Sequence, residues 1–87
     1  MTVFYSGRVQ GVGFRYTVKS LTTGFEVAGV VRNLADGRVE LKVEGEREEL
    51  DAFRVAVRES GLGGLIQREE EMFGAATGQF RGFEIVK

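Results

Sequence analysis

Two side chains in the first forty residues have the type and setting to act on an anion. Arg15 closes the stretch Gly7–Arg15, "GRVQGVGFR", and Asn33 follows eighteen residues later. A guanidinium offers a planar fork of donors that matches phosphate or carboxylate. A carboxamide donates and accepts at once, so it can hold a water or a ligand oxygen. Three glycines, Gly7, Gly11 and Gly13, fall within the seven residues that open this stretch. Glycine in an ordered loop costs conformational entropy, and its repeated use implies a backbone that must approach something closely or adopt dihedrals a Cβ forbids.

The residue types that are missing narrow the chemistry. The 87 residues contain no cysteine and no histidine, which removes disulfides, thiolate nucleophiles, imidazole bases and typical zinc sites. Catalysis would have to come from backbone amides, Arg, Lys, carboxylates, carboxamides or hydroxyls. The net charge of −1 is uneven: residues 1–43 hold six basic and three acidic side chains, residues 44–87 six and ten. The first half therefore favours a small anion, while a chain-wide basic footprint for nucleic acid is missing. No apolar run approaches the roughly 20 residues needed to span a membrane. The start, Met1-Thr2-Val3-Phe4, lacks the pattern of a signal peptide. The cytoplasm is the expected compartment.

Neither common nucleotide motif fits the glycine loop. In "GVGFRY", residues 11–16, Tyr16 stands where the dinucleotide fingerprint has its third glycine, and no Gly-Lys-Ser/Thr follows. The loop is then either a cradle for one phosphate-sized group or a tight strand-to-helix turn with a surface arginine.

The surrounding pattern says what must position these residues. Thr2 to Arg8 reads as a strand, and Phe14, Val18 and Leu21 recur at helical spacing, predicting a helix to about Thr23 with Gly24 just past its end. Val27 to Arg32 is a β-branched apolar run, and Asp36-Gly37 is a hairpin turn. Val39, Leu41 and Val43 alternate with Glu40, Lys42 and Glu44, predicting a half-buried strand that exposes the charged set. Glu46 to Ser60 reads as a helix with Leu50, Phe53, Ala56 and Val57 as its apolar stripe and a solvated charged face. "GLGGLI", residues 61–66, ends it. Leu65 to Met72 reads as a fourth strand, Gly74 to Gly82 as a loop, and Phe83 to Val86 as a short closing strand.

The order is β-α-β-β-α-β plus a terminal strand. This is the split βαβ, ferredoxin-like α+β sandwich, an antiparallel-dominated sheet with two helices on one face, built here as one domain over residues 1–87. In that topology the first two strands run parallel with one strand between them. Their C-terminal ends share one sheet edge, about 10 Å apart at the usual strand spacing. Arg15 and Asn33 both fall at that edge, and an extended arginine plus a phosphate bridges such a gap. Taken alone, Asn33 reads as a turn residue beside a hairpin.

These segments carry a resemblance. "GRVQGVGFR", then "GVVRN" (29–33), "DGRVE" (36–40) and a closing "FEIVK" (83–87) resemble the acylphosphatase family over nearly the whole chain. The chain departs from the family pattern at Val30, where an aromatic is common, in its proline-free segment after the second helix, and in residues 68–79. The resemblance implies a ferredoxin-like fold and hydrolysis of the carboxyl-phosphate bond of small acyl phosphates, without metal or cofactor. It implies that Arg15 binds phosphate, that Asn33 positions water, and that the backbone of Gln10, Gly11, Val12, Gly13 and Phe14 forms the phosphate cradle. Inorganic phosphate is then product and competitive ligand, and the chain is expected to act as a monomer.

That chemistry suits these residues. The leaving carboxylate needs no strong acid, and phosphoryl transfer depends mainly on positioning and charge stabilisation. Asn33 can orient a water without acting as base, and with no base beside it the proton can pass to the phosphate itself. The alternatives are a non-catalytic ferredoxin-like module that binds a small phosphate-bearing ligand, a domain of a larger enzyme, and an RNA reader. RNA readers on this topology need exposed aromatics on central strands and a positive sheet, so no nucleic-acid partner is expected. The initial Met1 and the end just after the last strand favour a stand-alone protein.

Overall fold

The computed structural model describes residues 1–11 and 13–86. Five strands, β1 (Thr2–Gly7), β2 (Val27–Asn33), β3 (Val39–Gly45), β4 (Ile66–Met72) and β5 (Phe83–Val86), form one sheet in the order β4-β1-β3-β2-β5. Two helices, α1 (Phe14–Leu21) and α2 (Arg47–Val57), complete the βαββαβ order. β3 is antiparallel to both β1 and β2, so those two strands run in the same direction with β3 between them. β5 adds to the far side of β2 in parallel, which makes the sheet mixed.

Alternation decides which face is buried. Val3 and Tyr5 of β1, Val31 of β2, and Val39, Leu41 and Val43 of β3 are all fully buried. Phe14 and Val18 of α1 and Leu50, Phe53 and Val57 of α2 pack on them in one core cluster. Each such side chain contributes about 1.5–3 kcal/mol when taken from water. A line of edge-on aromatics crosses the core: Phe25 lies 5.5 Å from Phe53, and Phe53 lies 6.3 Å from Phe83. No described helix is long and apolar enough to cross a membrane.

Several element ends shift by one or two residues, with α1 stopping at Leu21 ahead of a 3₁₀ turn (Thr22–Gly24), β1 at Gly7 and β2 at Asn33; four further details differ from the expectation. The second helix stops at Val57 rather than Ser60: Arg58–Leu62 widen into a π turn in which Gly61 takes φ 92°. Ser60 Oγ donates to the Val57 carbonyl at 2.7 Å, satisfying part of the helix end. A 3₁₀ turn, Gly63–Leu65, then delays β4 to Ile66. Glu40 is buried at 7% exposure rather than solvated, because Arg32, its register partner on β2, donates Nε–H to its carboxylate at 2.7 Å. The charged face of α2 is also not simply solvated. Arg54 and Arg58 reach across to β4 and share the Glu69 carboxylate at 3.1 and 2.9 Å, and Arg54 also pairs with Glu71.

Candidate active site

The site begins where β1 ends. The β1–β4 register shifts between Ser6 and Gly7, and β4 crosses there so closely that a Cβ on Gly7 would collide with the Leu65 carbonyl oxygen and lie 2.8 Å from Gln67 N. Arg8 N–H donates to the same Leu65 carbonyl at 2.9 Å. Gly7 therefore serves the strand junction, not the loop that follows.

The other two glycines have a different reason to be there. Gly11 and Gly13 take φ 76° and 78°, and a Cβ at either would meet nothing within 4 Å. Conformation rather than crowding demands them. Gly13 is the N-cap of α1, no side chain caps that helix, and its first turn holds no acidic residue. Thr17 N–H makes the first helical bond, to Gly13 O at 3.0 Å. The amides ahead of it have no helical carbonyl to meet, and with the helix dipole they favour an anion. Phe14, fully buried with its ring 5.1 Å from that of Tyr5, fixes this helix start onto the sheet.

A cavity of about 220 Å³ opens here, lined by Val9, Gly11, Gly13, Phe14, Arg15, Tyr16 and Asn33. It is several times the roughly 30 Å³ that one water occupies in the liquid. Arg15 is half-buried and makes no ion pair among the described residues. Asn33 ends β2 and faces the same side of the sheet as buried Val31; its Oδ1 is buried with no hydrogen-bond partner among the described residues. Buried polar atoms are almost always satisfied, and this one belongs to a residue that lines the cavity.

Of the residues singled out from the sequence, Arg15, Asn33, Gly11, Gly13 and Phe14 come together on this cavity. Val12 lies outside the described residues. Gln10 belongs to the same loop, but its side chain points to the β2–β3 hairpin, where Nε2 donates to the Leu34 and Arg38 carbonyls at 2.8 and 2.9 Å. Tyr16 and Val9 were not anticipated as lining residues. Tyr16 is 71% exposed at the mouth and follows directly on Arg15, so its adjacency was the available signal. Asp36, the carboxylate nearest to Asn33 in sequence, is engaged elsewhere. It accepts Arg38 N–H at 3.0 Å and Arg38 Nε–H at 2.8 Å, and these bonds hold its carboxyl below the usual carboxylate range.

The helix start without a side-chain cap, the Arg15 guanidinium without an ion pair among the described residues, and Asn33 share one edge of a ferredoxin-like α+β sheet. The chain belongs to the acylphosphatase family, whose model matches residues 1–85. It is 38% identical over 85 residues to an acylphosphatase of Acaryochloris marina, covering 94% of this chain and 87% of that one. Its fold is similar to the crystal structure of acylphosphatase from Bacillus subtilis, with a TM-score of 0.87, 32% identity, and coverage of 99% of this chain and 96% of that one. The crystal structure of T. kodakarensis HypF is also similar, with a TM-score of 0.84 and 30% identity over 99% of this chain but only 11% of that one.

Proposed function

We propose that this chain hydrolyses small acyl phosphates to carboxylate and inorganic phosphate, with Arg15 and the backbone of residues 10–14 holding the phosphate and Asn33 placing the water. The observation that carries the proposal is the shared cavity, where Arg15 and Asn33 flank the start of α1; among the described residues the Arg15 guanidinium has no ion pair and Asn33 Oδ1 has no hydrogen-bond partner. Family membership supports the reaction class.

The steps follow from these groups. Backbone N–H donors and the Arg15 fork grip the non-bridging oxygens and strengthen their hold as charge redistributes in the transition state. Asn33 accepts a hydrogen bond from the water and turns its lone pair toward phosphorus. The water oxygen bonds to phosphorus, the P–O bond to the carboxyl breaks, and the electron pair leaves on the carboxylate. The water's proton passes to a phosphate oxygen, because a carboxamide does not take it.

In this proposal residues 1–87 act as one catalytic domain, a monomer in the cytoplasm that uses neither metal nor cofactor. Its ligands are the acyl phosphate and inorganic phosphate, with no nucleic acid or membrane partner. Turnover of acetyl, carbamoyl and benzoyl phosphate, with a chelator present and inorganic phosphate as competitor, tests it. Sustained hydrolysis inhibited by phosphate is expected. Absence of hydrolysis of all three by folded protein would sink the reading and leave a phosphate-binding module.

A further inference from the structure

We propose that the Gln10 side chain is a positioning residue for hydrolysis. It locks the phosphate-holding loop to the hairpin that carries Asn33 and so fixes the attacking water relative to phosphorus. The proposal rests on the reading of Arg15 and Asn33 given above.

β1 and β2 share no ladder hydrogen bonds, since β3 lies between them. The loop after β1 and the residue ending β2 therefore need another tie if their separation is to be held. Gln10 Nε2 supplies it by donating to Leu34 O at 2.8 Å and Arg38 O at 2.9 Å. Both acceptors sit at the neck of the β2–β3 hairpin, closed by Leu34 N–H to Arg38 O at 2.8 Å, and Leu34 directly follows Asn33. Among the described residues this is the one side-chain hydrogen-bond link between loop and hairpin.

The amide orientation is forced, because the reverse would set Oε1 against two carbonyl oxygens. The bonds are partly shielded from water, so they resist exchange with solvent. The side chain is committed to the hairpin, which leaves the Gln10 backbone to the cradle. Holding phosphate and aligning the water are then separable tasks, and Gln10 serves the second through Asn33. Misplacing reacting groups by about 1 Å can cost about 10²-fold in rate.

The test compares Gln10→Ala, Gln10→Met (similar length, no donor) and Gln10→Glu with the parent on benzoyl phosphate, alongside inorganic-phosphate inhibition constants and the double variant with Asn33→Ala. Each is assayed at a temperature where its circular dichroism matches the parent. The expectation is a fall in kcat of about 10–100-fold with phosphate inhibition changed less than about 2-fold. Gln10→Glu, which sets a carboxylate against two carbonyls, should be at least as impaired. In the double variant Gln10→Ala should add little to the loss from Asn33→Ala, because the two act as one unit. Parental kcat in folded Gln10→Ala or Gln10→Met would overturn the proposal. So would a loss of phosphate affinity in step with kcat, or full additivity with Asn33→Ala. Failure of the underlying reading shows differently, as no parental hydrolysis or an Asn33→Ala variant with parental kcat.

Discussion

Tyr5 and Asn33 are both register partners of Val39, one from β1 and the other from β2, so they stand in a single row across the sheet on its helix-facing side. Their side chains also carry the two buried polar atoms without a hydrogen-bond partner among the described residues, Tyr5 Oη and Asn33 Oδ1. The two residues differ in their surroundings. Tyr5 is sealed in the core against Phe14, whereas Asn33 borders the cavity.

For Tyr5 the unmet hydroxyl is a cost of the fold. Tyr5→Phe removes it without changing the ring that Phe14 packs on. Leaving a buried group unsatisfied costs about 1–3 kcal/mol, so the variant should be as stable as the parent or more so, by up to about 1 kcal/mol, with activity retained. Urea denaturation checks this. A clear loss of stability would mean that the hydroxyl has a partner in solution.

For Arg15 the expectation concerns binding and rate together. Arg15→Ala should lower kcat/KM on benzoyl phosphate by roughly 10³-fold or more, as for transition-state arginines elsewhere in phosphoryl transfer. It should also abolish the rise in Tm that inorganic phosphate gives the parent. Near-parental turnover would remove Arg15 from the proposed mechanism.

Asn33→Ala should separate the two quantities. If the carboxamide places only the water, kcat should fall by roughly 10²–10³-fold while phosphate inhibition stays close to that of the parent. Phosphate affinity falling equally would make Asn33 a phosphate ligand instead.

The glycines of the opening stretch predict contrasting variants. Gly7→Ala places a methyl into the Leu65 carbonyl at φ 124° and should cost about 2–4 kcal/mol of stability. Gly13→Ala meets open space, so only the strain of φ 78° remains, about 1–2 kcal/mol. That strain falls on the helix start, and the loss in kcat/KM should exceed that of any refolded Gly7→Ala. Thermal melts and kinetics on the pair decide it.

Acid sensitivity should trace to the same row, since Tyr5 faces Glu69 on its other side. Burial would raise the Glu69 carboxyl, but hydrogen bonds and charge from Arg58 and Arg54 outweigh it and hold the group below its usual range. A carboxyl depressed in this way adds stability above its unfolded-state pKa of about 4.3, and the contribution is lost as pH falls through the folded value. Glu69→Gln should therefore cost about 1–3 kcal/mol at pH 7, with the gap to the parent closing below about pH 4. A gap independent of pH would show that the charge of Glu69 contributes nothing.

Much of this was legible in the sequence because local pattern and topology agree. The alternation at Val39, Leu41 and Val43 and the spacing of Phe14, Val18 and Leu21 needed no tertiary information, and the βαββαβ order then placed the Arg15 and Asn33 positions on one edge. What stayed hidden depends on partners far away in the chain. Glu40 alternates outward but is covered by Arg32 from the neighbouring strand. Arg54 and Arg58 read as solvated helix charge until β4 is brought beside them. The role of Gly7 depends on Leu65 crossing it, and the direction of the Gln10 side chain depends on carbonyls 24 and 28 residues away.

The central place of β3 has a consequence for how the molecule comes into being. Arg15 and Asn33 both precede β3 in the chain, yet the strands leading to them are joined in the sheet through it. Pairing of β3 with both β1 and β2 sets the two halves of the cavity in register. With Arg15 and Asn33 as the proposed site, regain of acyl phosphate turnover during refolding is expected to follow completion of this pairing rather than formation of α1.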